Sequence, residues 1–181
     1  MSTPNIPIPD VKERDVVFRD FFELHAETLQ LGTGAKKRYL SFHLPTDAVC
    51  ILAKTKDEKW VSTIEYRFPA KEWLLSCPGG RMDSGEEPLV AAQRELLEET
   101  GYGRGTWEFL GNPYPFPGLT SQKIFVFYAH GVEKCQEPQL EIYECIHLSL
   151  KTDEELKKTI AAGTPVDSML CCALYLYGQS R

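Results

Sequence analysis

The sequence predicts an α/β protein in which a mixed sheet packs between helices. Three observations predict it. Apolar runs with strand spacing alternate with helix signals along the chain. One helix is marked in mid-chain and two more near the end. The 181 residues, 43% of them hydrophobic, are enough to bury a real core.

Taken in order, MSTPNIPIPD (1–10) is a proline-rich arm. From Val16 to Leu31 the apolar spacing suits strands and also permits a helix, so both stay open. AVCILA (48–53), the polar KTKDEK and WVSTIEYRF (60–68) read as strand, turn and strand. WLLSC (73–77) is a short strand that stops at Pro78-Gly79-Gly80. Ser84 is then a candidate N-cap, with Glu87 three residues on completing a capping box. Pro88 falls in the first turn, and Leu89, Ala92, Leu96 and Leu97 form an apolar stripe. Gly101 stands where a left-handed residue ends a helix. TWEFLG is a strand, NPYPFPGLTSQ a long loop, IFVFYAHGV a strand and QLEIYECIHLSL another. Thr152 with Glu155 opens a second capped helix, closed by Gly163 and Pro165. Asp167 caps a last helix through Tyr177.

Charge narrows the function. Lys plus Arg is 20 against 26 Asp plus Glu, a net charge of −6, which argues against a nucleic-acid polymer as partner. No uncharged apolar stretch approaches the roughly 18 residues of a membrane helix, so no membrane partner is expected. The N-terminus lacks the basic-then-apolar pattern of a signal peptide. The six cysteines form no CxxC pair and read as reduced thiols, so the expected compartment is the cytoplasm.

The chemistry is concentrated in GRMDSGEEPLVAAQRELLEETGY (80–102). On a helix, Glu95, Glu98 and Glu99 project from neighbouring positions of one face. Arg94, four before Glu98, offsets part of their repulsion, but Glu86 competes for it. Clustered carboxylate oxygens suit a hard cation such as Mg²⁺ or Mn²⁺. A bare ELLEE reads first as a solvated helix face. The frame around it decides. Gly80, Glu86, Arg94, Glu95, Leu96, Glu98, Glu99 and Gly101 follow the spacing Gly-x5-Glu-x7-Arg-Glu-aliphatic-x-Glu-Glu-x-Gly. Seven fixed residues in one frame arise by chance on the order of once in a million chains of this length. The segment therefore resembles the Nudix box, with aromatic Tyr102 where an aliphatic residue is usual.

That resemblance implies an α/β/α sandwich with a mixed sheet, and an enzyme that hydrolyses a nucleoside diphosphate linked to another moiety. It implies that Glu95 and Glu99 are metal ligands, joined by the Gly79 carbonyl. Glu98 would be a ligand or hold metal-bound water. Glu86 and Arg94 would brace the loop against the helix, with Gly80 and Gly101 as structural glycines. More than one Mg²⁺ or Mn²⁺ per site is expected, to neutralise the pyrophosphate and make bound water acidic.

Beyond the box, residues 60–80 resemble the approach to the box in ADP-ribose pyrophosphatases. Arg67 matches their substrate-facing arginine, while Ser76 replaces a usual Glu. Arg81 is a further candidate for the substrate side, and the loop with Pro117 and Gly118 resembles that branch's Pro-Gly loop. For the catalytic base, which that branch carries on an acidic loop, the order of candidates is Glu141, Glu137, Glu133. Residues 1–44 are expected to form an arm and small sheet exchanged across a homodimer on the nucleobase side, and residues 45–181 the hydrolase domain. Phe18, Arg38 and Tyr39 are candidates for the base. The expected substrate is a nucleoside diphosphate sugar, ADP-ribose first, giving AMP and ribose 5-phosphate. The alternatives are GDP-mannose, a dinucleotide or a coenzyme, or a nucleotide-binding protein without turnover.

Overall fold

The ambiguity over residues 16–31 resolves into strands. In the computed structural model, which describes residues 8–181, β1 (Asp10–Arg19) and β2 (Glu23–Gln30) form an antiparallel hairpin. β3 (Lys36–His43) joins the other edge of β2. The first seven residues of the proline-rich arm lie outside the described residues. The β-branched Val16 and Val17 with Phe18 fit an extended backbone better than a helix. Residues 116–122 go with this N-terminal unit. There Leu119 accepts a backbone bond from Phe42 at 2.9 Å, and the Tyr39 hydroxyl donates to the Gly118 carbonyl.

Residues 46–115 and 123–181 make the second unit. Its sheet runs β10 (Ile146–Lys151), β5 (Trp60–Arg67), β4 (Ala48–Thr55), β9 (Ile124–Lys134) and the short β7 (Tyr102–Gly103). β4 and β9 are parallel, while β5 is antiparallel to both β4 and β10. β6 (Glu72–Ser76) pairs with the later half of β5, and β8 (Thr106–Gly111) pairs with β9. β4 is almost wholly buried and β9 is buried through its middle, Val126–Ala129, as expected of parallel strands covered on both faces. One face carries α1 (Pro88–Thr100), whose Ala91, Ala92 and Leu96 pack on Val49, Ile51, Phe127 and Ala129. The other carries α2 (Asp153–Ala161) and α3 (Ser168–Gln179), whose Leu156, Leu170 and Ala173 pack on Leu52, Trp60, Val126 and Tyr128. The expected α/β class, a mixed sheet between helices, is the observed one. Among the described residues no helix is long and apolar enough to cross a membrane.

The two late helices begin at the caps read from sequence. Thr152 and Glu155 form a reciprocal capping box, and Asp167 accepts from the Met169 amide at 2.8 Å. Two local expectations are corrected. α1 starts at Pro88 with Glu87 as N-cap and no side-chain cap bond, so Ser84 is not its cap. Gly85, at φ 79°, breaks the chain just after Ser84, and Glu86 is drawn instead to Arg94. Leu89 is exposed, and the buried stripe is completed by Glu95 and Glu99. QLEIYECIHLSL is a strand only from Ile146 onward. Its first half is a loop, closed where the Glu141 amide donates to the Glu144 carboxylate at 2.8 Å and the Glu144 amide to the Glu141 carbonyl at 3.0 Å.

Candidate active site

The chain leaving β6 turns back along β4. Ile51 donates to the Pro78 carbonyl and Val49 to the Gly80 carbonyl, each at 2.9 Å. This lays Gly79 directly on the β4 backbone. A Cβ at Gly79 would sit 2.2 Å from the Val49 carbonyl oxygen, and its φ of 155° already favours glycine. A Cβ at Gly80 would come within 2.6 Å of the Glu95 carboxylate. The two glycines thus bring bare backbone up to the acidic face of α1.

On α1, Glu95 and Glu99 are 8% and 6% exposed. Their one-turn spacing on the packed stripe buries them together. The Glu99 carboxylate accepts from the Gly79 amide at 3.0 Å. Burial pushes its carboxyl up to about 9, against the lowering effect of that bond and with Glu95, Glu65 and Glu144 adding repulsion. Burial also raises Glu95, while Arg94 pulls it down.

Arg94 is shared out among several acceptors. Its Nε and Nη2 clasp the Glu86 carboxylate at 3.0 and 2.9 Å. Nη1 reaches Glu95 at 2.8 Å and Glu98 at 3.1 Å, and Nη2 also meets the Arg81 carbonyl at 3.2 Å. Glu86 is held below the usual carboxylate range by this clasp. The loop and the helix are therefore locked by one guanidinium. Among the described residues no lysine or arginine pairs with Glu99.

A second group of charges borders the first. Glu65, on β5, is raised chiefly by burial, and Arg67 offsets part of that. Arg67 bonds the Glu65 carboxylate at 2.5 Å and lies 3.9 Å from Asp167. Glu144 raises the carboxyls of Glu65, Glu95 and Glu99 alike, so it faces this cluster.

The structure thus draws together Gly79, Gly80, Glu86, Arg94, Glu95, Glu98 and Glu99, with Gly101 ending the helix at φ 72°. The loop glutamates are scattered. Glu133 pairs with Lys56 at 2.7 Å, and Glu137 is 91% exposed beside Lys134. Glu141 bonds the Tyr143 hydroxyl, and Arg81 lies near that same tyrosine. Sequence reasoning passed over Glu65 and Glu144. Glu144 lies in the loop two residues before β10 begins at Ile146, so no strand alternation marked it. Pro117 and Gly118 lie in an exposed turn of the N-terminal unit, where Gly118 meets Tyr39. Phe18 and Arg38 are exposed on the small sheet.

The acidic face can accept a hard divalent cation on the chemistry of its donors. Two buried carboxylates lie side by side, one without a cation, and glycine backbone approaches both. Among the described residues no three acidic, histidine or cysteine side chains converge into a ready cage, and Glu98 is turned to Arg94.

Comparison with known proteins gives a consistent answer. The NUDIX domain family model matches residues 44–158. The ADP-ribose pyrophosphatase of Bacillus subtilis (strain 168) is 29% identical over 154 residues, 84% of this chain and 82% of its own. The methanol dehydrogenase activator of Bacillus methanolicus is 30% identical over 152 residues, 81% of this chain and 80% of its own. A crystal structure of an ADP compounds hydrolase has the same fold, with a TM-score of 0.85 at 21% identity, covering 98% of this chain and 96% of that one.

Proposed function

The chain belongs to the Nudix family, and from that premise we propose that it hydrolyses the pyrophosphate bond of a nucleoside diphosphate sugar. ADP-ribose is the first substrate, giving AMP and ribose 5-phosphate. The observation that carries this reading is the buried pair Glu95 and Glu99, 8% and 6% exposed, set against the bare backbone of Gly79 and Gly80. A buried carboxylate without a cation is costly, and a divalent ion answers that cost while complementing a diphosphate. The names of the Bacillus subtilis relative and of the structural neighbour support an ADP-linked substrate.

Glu95, Glu99 and the Gly79 carbonyl would hold Mg²⁺ or Mn²⁺, with Glu98 beside them. When bound, the ion supplies positive charge for the diphosphate and makes water a better nucleophile at neutral pH. Arg94 keeps Glu95 and Glu98 in place through Nη1 and ties the loop down through Glu86. Arg67, at the end of β5, offers a guanidinium to a phosphate oxygen next to the acidic face. Glu144 takes the proton of the attacking water at Oε1, since its Oε2 accepts from the Glu141 amide. Glu141, the first candidate from the resemblance, then holds the loop. The N-terminal sheet of a second copy provides the wall for the base.

A panel of ADP-ribose, GDP-mannose, a dinucleoside polyphosphate, NADH and a coenzyme A ester tests the reading, with products separated by chromatography. AMP and ribose 5-phosphate should appear fastest from ADP-ribose with Mg²⁺ present. Turnover of none of the five would overturn it.

A further inference from the structure

On the sheet face away from α1 there is a cavity of about 500 Å³, and no residue of the acidic face lines it. Across β8 and β9, Glu108 is opposite Tyr128 and Thr106 opposite His130, so these four share one face of the pair. Tyr128 packs with the α2 and α3 side of the core. Glu58 comes in from the β4–β5 turn and Tyr177 from α3. The two tyrosine rings lie 4.6 Å apart at 48°.

On the wall of this cavity lies a guanidinium from the same chain. The Arg181 Cζ stands 5.1 Å from the Tyr128 ring and 5.0 Å from the Tyr177 ring. Its Nη2 donates to the Glu108 carboxylate at 3.1 Å. Two aromatic faces and an in-reach carboxylate answer the features of a guanidinium, which is flat, delocalised, weakly hydrated and directional in its bonds. A lysine ammonium, compact and strongly hydrated, uses such faces less well. Of the two carboxylates that line the cavity, Glu58 is already held by Lys54 at 3.0 Å and by His130 at 3.1 Å, which leaves Glu108 as the acceptor for a guanidinium. Arg181 and Glu108 keep 50% and 45% of their side-chain surface exposed, so the pair is open to exchange.

We infer that the Tyr128, Tyr177 and Glu108 wall of this cavity is a guanidinium-binding site, occupied in cis by Arg181 and able to take the arginine of a peptide or of a small molecule in its place. An internal occupant acts at an effective concentration on the order of millimolar, so an outside ligand binds only weakly while Arg181 is there.

The test is Arg181→Ala in the full chain, titrated with Nα-acetyl-arginine amide and followed by NMR at Tyr128, Tyr177 and Trp107. The variant should bind this probe about tenfold or more tighter than the parent. Nα-acetyl-citrulline amide, the neutral isostere, and Nα-acetyl-lysine amide should bind several-fold more weakly. Adding Glu108→Gln to Arg181→Ala should abolish the gain, while Arg181→Lys should free the site in part. Gly-Arg-Gly against free L-arginine separates a peptide source from a small-molecule one. Pyrophosphatase activity should be equal in the parent and Arg181→Ala. Equal affinity of the arginine probe for both proteins, or citrulline binding as well as arginine, would overturn the site and leave Arg181 an anchor for the end of α3.

Discussion

At Glu99 three effects act on one carboxyl. Burial raises it, the Gly79 amide lowers it, and Glu95, Glu65 and Glu144 raise it again, leaving it at about 9. In the unfolded chain the same group titrates near about 4.3. Between those values the folded protein keeps a proton that the unfolded chain has released. Stability of the cation-free protein is therefore lost as pH rises from about 4.3 through about 9. Glu99→Gln keeps the shape and removes this dependence. With a chelator present, the variant should match the parent near pH 4 and unfold at higher denaturant than the parent at pH 8. Its hydrolytic rate should fall on the order of 100-fold. A variant less stable than the parent at pH 8 would contradict the burial argument. Glu144 gives a separate reading. Glu144→Gln should lower kcat by about 10²–10⁴-fold with little change in KM, and Glu141→Gln should do far less. The reverse order, measured in steady-state kinetics, would return the role to Glu141.

At the scale of elements, the loop of residues 77–80 depends on its contact with β4. Gly79→Ala places a Cβ 2.2 Å from the Val49 carbonyl oxygen, so loop or strand must shift. Thermal or denaturant unfolding should register a loss of about 1–3 kcal/mol, with activity falling alongside as the Gly79 amide leaves Glu99. Retained stability and activity would mean that the close approach is relaxed at no consequence. The same loop marks how far the sequence could be read. The resemblance to the box brought Arg94, Gly79 and Gly80 to the neighbourhood of Glu95 and Glu99, while helix period, a local property, put those two on one face. The caps at Thr152 and Asp167 were legible for the same reason. The start of α1 was not. Ser84 and Glu87 carry a capping pattern, but Gly85 turns to φ 79° between them and Arg94 holds the Glu86 carboxylate, so the helix begins only at Pro88. Glu144 escaped notice because its partners, Glu65 on β5 and Glu95 and Glu99 on α1, are brought to it only by the fold. The break inside QLEIYECIHLSL was hidden because alternation of apolar residues says nothing of a Glu141–Glu144 turn.

At the scale of the whole molecule, β1 is, among the described residues, the strand without a cover. All ten of its residues, Asp10–Arg19, are exposed, and it is the edge of its sheet. Val11, Val16, Val17 and Phe18 show 44–48% of their surface to solvent. Six of its ten residues are charged, but an edge strand that carries three consecutive exposed apolar residues, Val16–Phe18, invites pairing with another chain unless something covers it. The proposed cover is a second copy, in line with the need for a wall around the nucleobase. A stable interface of this kind should bury well over ~1,000 Å² in all. The full chain should then sediment at low micromolar concentration with twice its 20.5 kDa mass. The double variant Val16→Asp with Phe18→Asp should sediment as a monomer and should raise KM for ADP-ribose more than it lowers kcat, since the acidic face of α1 is left intact. A parent chain that sediments as a monomer and still hydrolyses ADP-ribose efficiently would refute the shared site, because the second unit would then hold the base by itself. The buried Glu95 and Glu99 would keep their role under either outcome, since the contacts that bury them lie within one unit.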